Sequence, residues 1–199
     1  MKKIILSFAI IAATLQGCII KSIYPFFKED DVVFKKELVG KWMDGDSNRW
    51  SIHSNPFRPN SYEMHCTRDN RDVAFAGNLF TLEGNLYLDL FPVSDNKEEM
   101  LVFDLHLVPT HSVAIVESLS DTEVHIRWFD ETWLGTMFTQ NRIRIPHETI
   151  MDTDLKPDKD DGMYLLTAST DELQKFIVKY RAQAMASAEN AVQLRLIRQ

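Results

Sequence analysis

Asp89, Asp104, His106 and His111 form the densest concentration of groups able to do chemistry in this 199-residue chain. Asp89 lies in "LYLDLF", Asp104 and His106 in "VFDLHL", and His111 just past a Pro-containing turn. Strand alternation sets Asp89, Asp104 and His106 on one face of neighbouring strands. Carboxylates beside imidazoles can bind zinc or carry acid–base catalysis. On the polar face of a sheet the same residues also simply hydrate, or pair with an element that covers them. A second acidic group, Asp152, Asp154, Asp158, Asp160 and Asp161 in "MDTDLKPDKDDG", has the hard oxygens that calcium prefers but not the EF-hand spacing, and reads as a solvated loop. The chain contains no P-loop, G-x-S-x-G, H-E-x-x-H or paired C-x-x-C, and its seven glycines are scattered. No resident metal or cofactor is expected.

The elements that would position those groups are strands. From Leu38 to Phe129 apolar residues recur with period two between short polar turns, the pattern of antiparallel pairing. Eight strands are predicted, at 38–44, 49–53, 61–67, 72–82, 86–91, 100–108, 111–119 and 123–129, with hairpin turns at "RDNR", "EGN" and "LSDT". Such a meander closes into a mainly β fold, an antiparallel eight-stranded up-and-down barrel. A short helix is expected after the last strand, in "DETWLGTMFTQN", with Asp130 at its N-cap. A long C-terminal helix is expected over 170–198, opened by a capping box between Ser169 and Glu172. At roughly 43 Å it would exceed the height of a small barrel, so its first half docks and its tail projects.

Alternation also assigns faces. Trp42, Trp50, Ile52, Tyr62, Met64, Leu86, Leu88, Leu90, Leu101, Phe103, Leu105, Val113, Ile115, Val124, Ile126 and Trp128 share the apolar side. His53, His65, His106 and His125 fall opposite, with Glu63, Asp89, Asp104 and Arg127. The inside of an eight-stranded barrel takes side chains or one small ligand. Trp42, Trp50, Tyr62, Phe103 and Trp128 therefore either fill the interior or line an apolar pocket.

The N-terminus bears on location. Lys2 and Lys3 precede "IILSFAIIAATL", too short for a bilayer span of about 20 residues but right for a secretory signal. It ends at Leu15-Gln16-Gly17-Cys18, which resembles the bacterial lipobox. That resemblance implies cleavage after residue 17, lipid on Cys18 and a stable membrane anchor, since several acyl chains hold where one does not. With Ile19 in place of an aspartate, the same resemblance implies sorting to the outer membrane. Residues 18–37, with Tyr24, Phe26, Phe27 and Phe34, are too aromatic for a flexible tether and are expected to pack on a single domain spanning 38–199. After residue 17, 20 basic residues face 29 acidic ones, a net charge of −9 that disfavours nucleic acid. Cys66 then has no partner and reads as a small buried hydrophobe.

Gly40-x-Trp42, after an aromatic and a short turn in "VFKKELVGKW", resembles the entry motif of lipocalins. Farther on, "LYLDLF", "LHLVPTHS" and "LTASTDELQKF", with the lipobox, resemble an uncharacterised class of bacterial lipoproteins. The resemblance implies location and fold, without chemistry. The leading reading is a non-enzymatic binding protein for a small apolar ligand or an envelope partner. The alternative is an assembly lipoprotein acting through its surface and C-terminal helix, and after it a metal-dependent hydrolase built on Asp89, Asp104, His106 and His111.

Overall fold

The turns between the predicted strands are built by their own residues. Glu83 and Gly84 join two strands with positive φ at both positions (48° and 73°), the type I′ geometry whose twist matches the flanking strands. Asp44 builds another turn, accepting backbone N–H bonds from Asp46 (3.0 Å) and Asn48 (2.9 Å) and the Trp50 indole N–H (2.9 Å). Partial burial pushes its carboxyl up, but the donors outweigh that and hold it below the usual carboxylate range.

The structure, a computed structural model, describes residues 19–69, 71–93, 106–150, 163–186 and 191–199. Cys18, Phe103, Asp104 and the acidic loop lie outside the described residues. The elements are β1 (Lys21–Ser22), β2 (Gly40–Met43), β3 (Arg49–Ser54), β4 (Ser61–Arg68), β5 (Arg71–Leu82), β6 (Asn85–Val93), β7 (His111–Leu119), β8 (Glu123–Trp128), α1 (Glu131–Thr139), β9 (His147–Ile150), β10 (Met163–Leu166), α2 (Thr170–Ala186) and β11 (Gln193–Arg198).

Eight strands close a ring in the order β2-β3-β4-β5-β6-β7-β8-β11, with every neighbouring pair antiparallel. The expected barrel is present, but its eighth strand is not the expected one. Most of 100–108 lies outside the described residues, Leu107 and Val108 are not in a strand, and β6 pairs directly with β7. The last place in the wall is taken by β11, between β8 and β2. The C-terminal helix is described over Thr170–Ala186, and 193–198 is strand rather than projecting helix. The reason is burial. Leu194 and Leu196, two apart, face the barrel core, where Leu196 is fully enclosed.

Two cores share one wall. Inside the barrel lie Leu38, Trp42, Ile52, Tyr62, Met64, Leu79, Leu88, Leu90, Ala114, Val116, Val124, Ile126, Trp128 and Leu196. Outside β5, β6 and β7 a second core joins Phe80, Tyr87, Val113 and Ile115 to the N-terminal segment (Ile20, Phe26, Phe27), α1 (Trp133, Leu134) and α2 (Leu173, Phe176, Ile177). Val113 and Ile115 thus point away from the interior, contrary to the assigned face. β7 is apolar on both sides because both sides are covered, so alternation cannot orient it, and a bulge between Val116 and Ser118 shifts its register further. β1 branches from the start of β7 and pairs in parallel with β10, which pairs with β9.

Candidate functional site

Of the predicted polar cluster, the structure brings together Asp89 and His111. Asp89 is on the outer face of β6 opposite Val113, and His111 opens β7 two residues earlier. The carboxylate is completely buried. Its Oδ1 accepts from His111 Nδ1 at 2.8 Å and its Oδ2 from the Phe26 backbone N–H at 2.9 Å. The His111 ring lies 4.6 Å from that of Phe91. His106 is exposed and takes no part, and Asp104 lies outside the described residues. Among the described residues no group of three His, Cys, Asp or Glu converges as a metal site would need. An Asp–His pair is also the orienting half of a catalytic triad. Here both carboxylate oxygens are engaged, one of them in holding the N-terminal segment to the barrel. The pair works as a buried clasp.

The aromatic set gathers inside the barrel, apart from Phe103, which lies outside the described residues. Each polar handle in it is already taken. Trp42 Nε1 donates to the Leu38 carbonyl (2.9 Å), Trp50 Nε1 to Asp44 (2.9 Å) and Trp128 Nε1 to the Ser112 hydroxyl (3.3 Å). The Tyr62 hydroxyl accepts from the Lys35 N–H (2.6 Å) and donates to the Lys35 carbonyl (3.1 Å), while burial pushes its pKa up to about 12. Met64 also covers Gly77 on the inner face of the wall, where an added Cβ would meet its sulfur at 2.7 Å. Cys66 is buried and free, and burial pushes its thiol up, away from reactivity.

Comparison with known proteins adds no relative: no family model, no curated protein and no solved structure matches this chain.

Two features were missed by reasoning from the sequence. The first closes one barrel end. Arg198 lies over the Trp42 ring, 4.1 Å from its centroid, and its guanidinium donates to the carbonyls of Val39 (3.0 Å), Glu37 (2.6 Å) and Asp121. Gly40 has φ +149°, and a Cβ there would collide with that guanidinium. The glycine of Gly40-x-Trp42 is therefore needed by a residue at the far end of the chain. The signal was the alternation in "QLRLIR".

The second is a surface groove of about 500 Å³ between residues 141–146, which follow α1, and α2. Arg142 and Arg144 are exposed on one wall while Ile143 and Ile145 turn inward. Lys175 and Lys179, one helical turn apart, are exposed on the other. Phe176 and Tyr180 line the groove between them. Its signal was the alternation in "NRIRIP".

Proposed function

We propose that this chain is a lipid-anchored protein of the bacterial envelope that binds a partner or ligand through its outer surface, with the barrel as a packed scaffold. The observation that carries the reading is the satisfied interior. The Trp42, Trp50, Tyr62 and Trp128 handles all bond to the protein itself, and Met64 occupies the space over Gly77. A pocket that orients a ligand needs polar groups left for it. The anchor rests on the lipobox ending at Cys18, and the resemblance to the uncharacterised lipoprotein class supports the same location. No helix among the described residues is long and apolar enough to cross a membrane. The Asp89–His111 clasp supports a role without catalysis, because it ties Phe26 down instead of facing open space.

Titration of the purified protein with a fluorescent fatty acid tests this directly. No saturable binding is expected. Stoichiometric binding that Trp42→Ala or Trp128→Ala removes would return the function to the barrel interior and overturn the surface reading.

A further inference from the structure

The groove beside α2 has a charge opposite to that of the molecule. The chain carries a net charge of −7, yet the groove is lined by Arg142, Arg144, Lys175 and Lys179 against a single carboxylate, Glu172. Glu172 is engaged in its own capping box, accepting from the Ser169 N–H (3.0 Å) and hydroxyl (2.8 Å). Asp171, the other acid near Lys175, is ion-paired with Lys28 at 2.5 Å. Among the described residues none of the four cations is in an ion pair. Such a cluster repels itself, so holding it together favours an anion that neutralises it.

Its walls are fixed before any ligand arrives. The Arg142 N–H donates to the Met137 carbonyl at 2.9 Å, and the Pro146 carbonyl accepts from Thr167 at 3.0 Å. Ile143 and Ile145 are buried in the outer core, and Phe176 on the opposite wall packs against Trp133 at 6.3 Å. A preorganised backbone and apolar floor limit the ordering cost of binding to the four side chains themselves. The volume of about 500 Å³ suits a small molecule. A monoanion would leave most of the lining charge uncompensated, whereas phosphate groups bring several charges and the acceptor oxygens that a guanidinium fork matches.

We propose that this groove binds a multiply charged, phosphate-bearing ligand, with the arginines of one wall and the lysines of the other taking separate phosphate oxygens. The proposal rests on the surface reading and gives that surface a ligand class. A soluble phosphate compound and the headgroup of an anionic lipid share this chemistry.

The test uses the full chain purified in nonionic micelles. Calorimetric titrations with inorganic tripolyphosphate and with dihexanoyl phosphatidic acid are compared, with dihexanoyl phosphatidylcholine as the zwitterionic control. Saturable binding of one or both anionic probes is expected, weakening as salt rises. Tripolyphosphate alone would identify a soluble source, and phosphatidic acid alone a lipid source. Arg142→Ala with Arg144→Ala, and separately Lys175→Ala with Lys179→Ala, should each lower affinity by about tenfold or more, while Lys41→Ala changes nothing. These side chains are exposed, so melting curves should be unaffected. Failure of both anionic probes at millimolar concentration, or affinity unchanged from the parent in both double variants, overturns the proposal. Either failure leaves the fatty-acid titration standing, so the two readings fall separately.

Discussion

Arg198 ties β11 to the first strand of the barrel. It stacks on Trp42 and donates to carbonyls at Val39, Glu37 and Asp121, so one side chain joins the ring's seam to the turn between β8 and its predecessor. Charge-assisted bonds contribute about 1.5–3 kcal/mol and a cation–π contact about 0.5–2. Arg198→Ala is therefore expected to lower unfolding free energy by about 2–4 kcal/mol in urea titrations. Arg198→Lys should recover less than half, since an ammonium lacks the planar fork that reaches several carbonyls at once. Equal stability of Arg198→Ala and the parent would refute the seam. Gly40-x-Trp42 was legible because a tight entry turn leaves a local signature. Its partner was not, because nothing near Arg198 in sequence says which ring it will cover. The polar cluster divides the same way: face assignment found Asp89, but its engagement with Phe26 depends on a segment folded over it.

At the scale of elements, alternation identifies strands well where one face meets the core and the other meets water. β2 to β8 all lie close to their expected positions, β5 and β6 included, whose outer faces are covered by the second core. Alternation finds β7 at its expected residues but misassigns its inner face, because that strand is apolar and covered on both sides, and it misses the strand at the C-terminus. There a capping box correctly opens α2, but strong helix formers continue past its end and mask the period-two spacing of Leu194 and Leu196. The difference has a mechanical consequence. A projecting helix tail is removable, whereas β11 is one-eighth of the wall, bonded to β8 and β2. Removing residues 193–199 exposes two strand edges and uncovers the fully buried site of Leu196. Burial of that one side chain contributes about 1.5–3 kcal/mol, against a typical net stability of about 5–15. The truncated chain is expected to show no cooperative thermal transition by circular dichroism, and Leu196→Ala a melting point several degrees lower. A truncated protein that melts like the parent would return the segment to the surface.

For the whole molecule, the shared wall decides how the two cores behave. β5, β6 and β7 carry Leu79 beside Phe80, Leu88 beside Tyr87 and Ala114 beside Val113, one member of each pair inward and the other outward. α2 reaches across this arrangement. Thr170 donates to the Pro25 carbonyl (2.8 Å), Gln174 to Asp31 (2.7 Å) and Arg181 to Asn85 in the β5–β6 hairpin (2.9 Å). The chain leaving α2 then enters the barrel as β11. The helix cannot detach without straining the seam, nor can the barrel open without losing the wall on which the helix rests. The two layers should therefore unfold together. Leu88→Ala in the inner core and Ile177→Ala in the outer one should each lower stability by about 2–5 kcal/mol. For both variants, tryptophan fluorescence and far-ultraviolet circular dichroism should trace one coincident transition. Hydrogen exchange tests the same coupling without denaturant: central amides of α2 and β8 should share one opening free energy, and both should fall equally in either variant. If α2 amides opened several kcal/mol more easily than those of β8, the outer layer would be a separately folding unit, and the groove beside α2 would no longer inherit the rigidity of the barrel.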